Sequence, residues 1–130
     1  MGTAAGGQNV GHAFPRARRV RKRTEYLAVQ NGGRRFVGTH YMLFALPHAE
    51  ASPAVPRGPR FGFTVSRKVG GAVLRNQVKR WLRESCRHMT AAFPNDGDFV
   101  IVARPSAGSA GYAPTASELA SLARRLRPTR

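Results

Sequence analysis

The hydrophobic positions between residues 72 and 93 recur with the period of one helix face. Val78, Trp81 and Leu82 follow Leu74 at spacings of four, seven and eight residues, and Cys86 and Met89 continue the stripe. Pro-Asn-Asp-Gly at 94–97 ends the pattern. The sequence therefore predicts a long amphipathic helix from Ala72 to Phe93.

Three shorter segments have the composition of β-strands: residues 34–46 (RRFVGTHYMLFAL), 60–66 (RFGFTVS) and 98–104 (DFVIVAR). If residues 34–46 were fully extended, alternate side chains would share a face. One face would carry Phe36, His40, Met42, Phe44 and Leu46, and the other Val37, Tyr41 and Leu43. The four prolines of residues 47–59 predict a long loop, which leaves room for a split in the first strand and a fourth strand.

Two further helices are predicted outside these segments. Thr24 and Glu25 open a short one that ends at Asn31-Gly32-Gly33, and Thr115 or Ser117 caps a last one. The pattern alone gives the order α-β-β-α-β-α. It favours a small α+β sandwich with its helices on one side of the sheet. Residues 1–13 are Gly-rich and unpatterned and are expected to be disordered, a single domain fills 14–127, and 128–130 form a basic tail.

Charge narrows the class of partner. The chain has twenty-two Lys and Arg residues but only six Asp and Glu residues, which gives a net charge of +16. A polyanion relieves the repulsion within such a chain, and nucleic acid is the commonest polyanion. Cys86 is the only cysteine, which excludes an intrachain disulfide and a Cys-based metal site and suits a cytoplasmic location. The longest apolar runs are about five residues, so no membrane partner is expected.

The predicted long helix concentrates this charge. Arg75, Lys79, Arg83 and Arg87 lie four residues apart, Asn76 and Arg80 form a second line, and Glu84 is the one acid among them. An RNA-binding face explains the clustering better than a merely solubilising one. The preceding turn SRKVGG can contact phosphate through Arg67 and Lys68, or can simply need glycine to connect strand and helix.

Aromatic side chains offer a second kind of contact. Tyr26, Phe36, Tyr41 and Phe44 can either stack on unpaired bases or fill the core, whereas Phe61, Phe63, Trp81, Phe93 and Phe99 are assigned to the core. No catalytic constellation is found. His12, His40, His48 and His88 lack metal-ligand spacing, and Asp96 and Asp98 are interpreted as turn residues. No catalytic or metal-binding side chain is therefore predicted.

One stretch of the sequence has a more specific pattern than charge and periodicity alone. Residues 61–85, FGFTVSRKVGGAVLRNQVKRWLRES, closely resemble the protein subunit of bacterial ribonuclease P. That family has a basic turn, here Ser66, Arg67, Lys68 and Gly70, followed by a helix with Arg-Asn-x-x-Lys-Arg, here Arg75, Asn76, Lys79 and Arg80, continuing to Arg83 and Glu84. RVRKRTEY and DFVIVARP extend the resemblance to roughly Phe14–Leu126.

The resemblance implies a fold and a function. The fold is α-β-β-β-α-β-α with a left-handed βαβ crossover, one strand more than the pattern alone gives. The function is to assist a catalytic RNA that removes 5′ leaders from precursor tRNA, so the chain would be an accessory endoribonuclease subunit. The RNA and its Mg²⁺ would carry the chemistry, and no protein partner would be required.

Residue roles follow from the same resemblance. Tyr26 and Phe44 would bind the leader in a cleft between the first helix and the sheet. Gln30 stands where family members often have another aromatic. The catalytic RNA would be bound by Arg67, Lys68, Arg75, Asn76, Lys79, Arg80 and Arg83. The alternatives are a ribosomal or other structural RNA-binding protein, or a stand-alone nuclease, against which the lack of an acidic metal cluster argues.

Overall fold

A computed structural model describes residues 19–20, 23–47, 59–93 and 97–126. Within these residues, three α-helices and four strands follow one another in the order α1, β1, β2, β3, α2, β4, α3. Their bounds are α1 Arg23–Gly32, β1 Arg34–Val37, β2 Tyr41–Pro47, β3 Arg60–Thr64, α2 Ala72–His88, β4 Gly97–Ala103 and α3 Tyr112–Leu126. The α+β class and the four-stranded order implied by the resemblance are confirmed. The predicted tails, 1–13 and 128–130, and most of the 47–59 loop lie outside the described residues.

The strands form one sheet in the order β1-β2-β4-β3. β1 and β2 are antiparallel, β2 and β4 are antiparallel, and β3 and β4 are parallel. The chain passes from β3 through α2 to β4, which makes the expected βαβ unit; the hand of that crossover stays a prediction. Because the sheet order places β1 and β3 at opposite edges, surfaces built on these two strands are well separated.

The first strand segment is split at Gly38-Thr39-His40, not at the proline-rich loop. The Gly38 N–H donates to the Tyr41 carbonyl at 2.8 Å, which closes the turn between β1 and β2. Phe36 then pairs with Leu43 and faces the main core. The prediction that Phe36 shares a face with Phe44 is therefore wrong, because the turn breaks the alternation on which it relied.

The two faces of the sheet are covered differently. Helices α2 and α3 cover the face that carries Leu43, Phe61 and Ile101, where Phe61, Phe93 and Phe99 meet with ring centroids 4.9–5.9 Å apart. Helix α1 packs on the other face, over β2 and β4. The expectation that the helices lie on one side of the sheet therefore holds for α2 and α3 only. Helix α1 lies on the opposite face, beside a part of the sheet that no helix covers within the described residues.

Helix ends differ from the pattern for local reasons. α2 stops at His88 rather than Phe93, and a 3-10 turn at Thr90–Ala92 follows, with the Thr90 hydroxyl bonded to the Cys86 carbonyl at 3.0 Å. α3 begins at Tyr112, so neither Thr115 nor Ser117 caps it. Thr115 is instead buried inside the helix, where its hydroxyl meets the Tyr41 hydroxyl at 2.7 Å. None of the helices in the described ranges is long and apolar enough to cross a membrane.

Candidate nucleic-acid interface

The turn before α2 holds two exposed cations at the start of a helix. Within this turn the Val69 and Gly70 N–H groups donate to the carbonyls of Ser66 and Arg67 at 3.1 Å each, leaving the Arg67 and Lys68 side chains in solvent. Gly70 has φ +153°, a conformation that side-chain-bearing residues rarely adopt. No side chain caps the α2 N-terminus. The turn therefore needs its glycine, as one interpretation of SRKVGG requires, whereas contact of Arg67 and Lys68 with phosphate stays a prediction.

The outward side of α2 carries the cations that are open to a partner. Asn76, Arg80 and Arg83 are exposed. Burial lowers the pKa of Arg83, and the neighbouring cations Arg19 and Arg80 lower it further. An arginine stays charged under these conditions, so Arg83 adds its positive charge to those of Arg19 and Arg80 nearby, with Glu84 as the opposing charge. Arg67, Lys68, Asn76, Arg80 and Arg83 are called the α2 basic surface below.

Three of the predicted helix cations are placed differently from the rest. Arg75 is partly buried and its Nε donates to the Gly70 carbonyl at 3.2 Å, which ties it to the turn. Lys79 lines a groove together with residues of α1. Arg87 forms an ion pair with Glu84 at 3.0 Å, and Glu84 also lies 3.6 Å from His88. The four cations spaced four residues apart therefore have different surroundings. Arg75 contacts the turn, and Lys79 lies near α1. Arg83 is open to solvent, and Arg87 is paired with Glu84.

A groove of about 520 Å³ lies between α1 and the β3–α2 side of the sheet. We call it the tyrosine groove; it is lined by Arg23, Tyr26, Leu27, Gln30, Phe63, Thr64, Val65 and Lys79. It combines an aromatic ring with cations from two different helices. Gln30, the departure from the family pattern, lies in the groove itself. Such a lining suits a single strand with stacked bases and a charged backbone.

Tyr26 is held in the groove by its approach to β3. A Cβ added to Gly62 would lie 2.7–2.9 Å from three atoms of the Tyr26 side chain, so the ring occupies space that only glycine leaves. The Phe63 N–H donates to the Tyr26 hydroxyl at 3.3 Å. Burial raises the pKa of Tyr26, and the Phe63 N–H opposes that rise. Gly62 was not predicted to be a functional residue from the sequence, although a glycine inside a strand often marks a close approach of another group.

A buried ion pair fixes α1 next to this tyrosine. Arg60 binds both carboxylate oxygens of Asp98 at 2.8 Å and donates to Glu25 of α1 at 3.3 Å. The interpretation of Asp98 as a turn residue is wrong, because it lies in β4 opposite Arg60 in β3. Both side chains are about one-tenth exposed. Since Glu25 precedes Tyr26, the pair positions the groove wall.

The other aromatic candidates fall into two groups, those near the groove and those in the core. Phe44 is only partly buried and lies on the same sheet face as Gly62, with Val100 of β4 between them, but it does not line the tyrosine groove itself. Tyr41 and Phe36 belong to the core. Trp81 and Phe63, assigned to the core, are partly buried at its margin, and Phe63 lines the groove. Cys86 is fully buried, which raises the pKa of its thiol.

No group of three or more His, Cys, Asp or Glu side chains arranged to hold a metal ion occurs within the described ranges. What the described surface offers is cations, amide and hydroxyl groups, and an aromatic ring beside a groove. These features are typical of an α+β protein of the RNA-binding class.

Comparison with known proteins names the family. The family model described as Ribonuclease P matches residues 14–127. The Ribonuclease P protein component of Desulfovibrio desulfuricans is 44% identical over 117 residues, covering 88% of this chain and 87% of the relative. That of Citrifermentans bemidjiense is 40% identical over 114 residues, with 88% and 92% covered. The chain belongs to the Ribonuclease P protein family.

A solved structure agrees on the fold. The Staphylococcus aureus RNase P protein superimposes with a TM-score of 0.74 at 21% sequence identity, covering 85% of this chain and 95% of that one. The two chains therefore share their fold.

Proposed function

We propose that the chain is the protein subunit of ribonuclease P and binds both the catalytic RNA and the 5′ leader of precursor tRNA. The observation that carries the proposal is the tyrosine groove, where Tyr26 is fixed over Gly62 with Arg23 and Lys79 at its margins. A structural RNA-binding protein has no need for a groove of this kind. A leader strand enters with a base against Tyr26 and its phosphates near the two cations.

The α2 basic surface binds the catalytic RNA in this proposal. Its cations come from a turn and a helix whose relative position is fixed by Arg75, so they present a rigid array to the phosphate backbone. Asn76 adds a donor and an acceptor that can reach a base edge or a ribose hydroxyl. Lys79, grouped with this set by resemblance, lies in the tyrosine groove and so is close to both RNA partners.

Phe44 extends the leader site in this proposal. It lies on the sheet face beside the tyrosine groove, and Met42 and Val102 on the same face are also only partly buried. A longer leader passes from Tyr26 across this apolar floor. The leader site thus combines one ring held in place by α1 with a second on the open sheet.

The remaining parts of the proposal concern the reaction. Mg²⁺ acts through the RNA subunit, which carries out the hydrolysis, and the chain's own residues bind and orient the two RNAs. No further protein is required, and the reaction takes place in the cytoplasm.

Cleavage of precursor tRNA tests the proposal directly. The RNA that co-purifies with the tagged chain is sequenced and then made by transcription. We expect RNA-free protein to leave precursor tRNA intact, and the reconstituted complex to cleave it at a lower Mg²⁺ concentration than the RNA alone. Cleavage by RNA-free protein, or co-purification of ribosomal RNA alone, would contradict the proposal.

The leader site is tested by Tyr26→Ala. We expect the complex to lose about tenfold in affinity for precursor tRNA, since one base–aromatic stack contributes roughly 1–3 kcal/mol. Affinity for tRNA without a leader stays unchanged and serves as the control. Tyr26→Phe keeps the ring and should retain most of the binding. Equal losses for both substrates would remove Tyr26 from the leader site.

A further inference from the structure

A second group of arginines lies at the opposite edge of the sheet from β3. The Arg34 guanidinium carbon is 4.9 Å from the centroid of the Phe36 ring, and the Arg125 guanidinium carbon is 5.5 Å from the same centroid. Both arginines are exposed. The two positive charges cannot be farther apart than the sum of these distances. Two like charges are thus gathered around one ring.

A third arginine continues the row. Arg125 donates to the Val37 carbonyl at 3.1 Å, and Arg104 donates to the next carbonyl, Gly38, at 2.8 Å. The row follows β1 from its first residue to the turn, roughly 13 Å of extended chain. Within the described residues, each of these two guanidinium groups uses one of its five donors in a hydrogen bond, so most donors stay open to solvent. Arg34, Arg104 and Arg125 are called the β1-edge surface.

This charge is not neutralised locally. Within the part of the chain that the structure describes, none of the three arginines forms an ion pair with a carboxylate. Glu118 lines the same groove as Arg125, and its two oxygens accept the N–H groups of His40 and Tyr41 at 2.7–3.0 Å. Glu118 therefore holds the β1–β2 turn, and the guanidinium groups stay available.

A groove beside the row supplies a different kind of donor. It encloses about 410 Å³ between the turn and α3, and Arg125 lies in its lining together with hydroxyl groups of Thr39, Ser117 and Ser121. Arginine and hydroxyl side chains are the groups that contact phosphate and ribose in nucleic-acid complexes. Its lining also includes His40 and Glu118, whose carboxylate is bound to the β1–β2 turn, but no Phe, Tyr or Trp, so it is suited to a backbone rather than to stacked bases.

We propose that the β1-edge surface is a second RNA-binding site, which takes the phosphate–ribose backbone of a structured RNA segment. β1 and β3 are the outer strands of the four-stranded sheet, roughly 14 Å apart at three strand spacings, and the turn before α2 follows β3. The chain therefore presents two cationic surfaces, one at each edge of its sheet, and we expect each to take its own short RNA. This property does not depend on the tyrosine groove.

The number of bound RNAs tests this inference. The full chain is mixed with a short RNA hairpin at low salt, and the complexes are counted by native mass spectrometry. We expect the wild type to bind two hairpins. Replacing Arg34, Arg104 and Arg125 by glutamine should leave one, and Arg75→Gln with Arg80→Gln should also leave one, through loss of the other site.

Two controls separate charge from packing. Arg124→Gln removes the same charge from the same turn of α3 without the contacts to Phe36 and Val37, and should still bind two hairpins. Because Arg125 also ties α3 to β1, lysine is placed at all three positions in a parallel variant, which should keep the second hairpin. Arg34→Gln alone, whose described contact is only the Phe36 ring, should reduce the salt slope of binding by about one.

Two outcomes would overturn the proposal. One is two bound hairpins and an unchanged salt slope in the triple glutamine variant, and the other is an equal loss in the glutamine and lysine variants, which would indicate packing alone. Precursor tRNA cleavage is scored separately. A chain that supports cleavage but binds one hairpin loses only this inference, and a chain that binds two but supports no cleavage loses only the proposed function.

Discussion

Gly62 decides where the Tyr26 ring can lie, and so controls the groove through a residue that has no side chain. Gly62→Ala places a methyl group 2.7–2.9 Å from the ring, and either the ring or α1 must move. We expect a loss of about 1–3 kcal/mol in unfolding free energy, typical of overpacking. Leader-dependent affinity for precursor tRNA should fall with it, as for Tyr26→Ala.

The control for this substitution is Gly71→Ala. A Cβ at Gly71 meets nothing within 4 Å, and its φ of −71° is an ordinary one. We expect both unfolding free energy and leader affinity to stay close to those of the wild type. If Gly62→Ala behaves like Gly71→Ala in urea denaturation and in binding, the close approach of Tyr26 to β3 is not what places the ring.

At the scale of the helix, α2 offers a matched pair of arginines. Arg80 is exposed and faces away from the core, whereas Arg87 is paired with Glu84. We expect Arg80→Gln to weaken binding of the catalytic RNA and to reduce the salt slope by about one, because one phosphate contact is lost. Arg87→Gln should have a smaller effect on both, since its charge is already offset.

Filter binding over a range of KCl concentrations measures both quantities. Equal slopes for the two variants would show that charge on α2 acts diffusely. In that case the division of the helix into open and paired cations would have no bearing on RNA affinity.

The helices and strands differ in how well they could be predicted from the sequence. The apolar stripe of α2 is correct at Val78, Leu82 and Cys86, because a helix repeats its own geometry without help from distant residues. The face of Phe36 was wrong, because the alternation was carried across a turn that is held by Glu118, far away in sequence. The position of Asp98 was wrong for the same kind of reason, since its partner Arg60 lies in another strand.

The tyrosine groove could be predicted only in part, because it depends on both the local sequence pattern and the tertiary arrangement. Tyr26 could be proposed by resemblance, and Gly62 was visible as a glycine within a strand pattern. The placement of Lys79 in the groove was not visible, because it depends on α1 and α2 lying near the same edge of the sheet on opposite faces. Sequence periodicity assigns a residue to a side of its own helix, and only the tertiary arrangement says what that side meets.

Over the whole molecule, the acids that the structure describes serve the fold. Glu25 and Asp98 bind Arg60, Glu84 binds Arg87, and Glu118 holds the β1–β2 turn. The surface cations are therefore left to repel one another, with a net charge of +16 over the chain. An anion that binds only the folded state should stabilise it strongly.

Sulfate tests this balance. We expect sodium sulfate to raise the midpoint of thermal unfolding by several degrees, since a ligand at 100 times its dissociation constant adds about 2.7 kcal/mol. Sodium chloride at equal ionic strength is the control for screening, and should raise it less. Combining Arg80→Gln with Arg34→Gln should reduce the difference between the salts. Equal midpoints in both salts would show that no specific anion sites exist.

The short bridge at the start of the described chain has a consequence for how the free protein avoids other copies of itself. The Val20 N–H donates to the Phe61 carbonyl at 2.8 Å, and Arg19 pairs with Phe61 alongside β3. An uncovered edge strand is a template for a neighbouring chain. This segment covers the β3 edge at Phe61, and exposed arginines lie along β1. Val20→Pro, which removes that N–H, would leave the apolar strand RFGFT ready to recruit a strand from a second molecule.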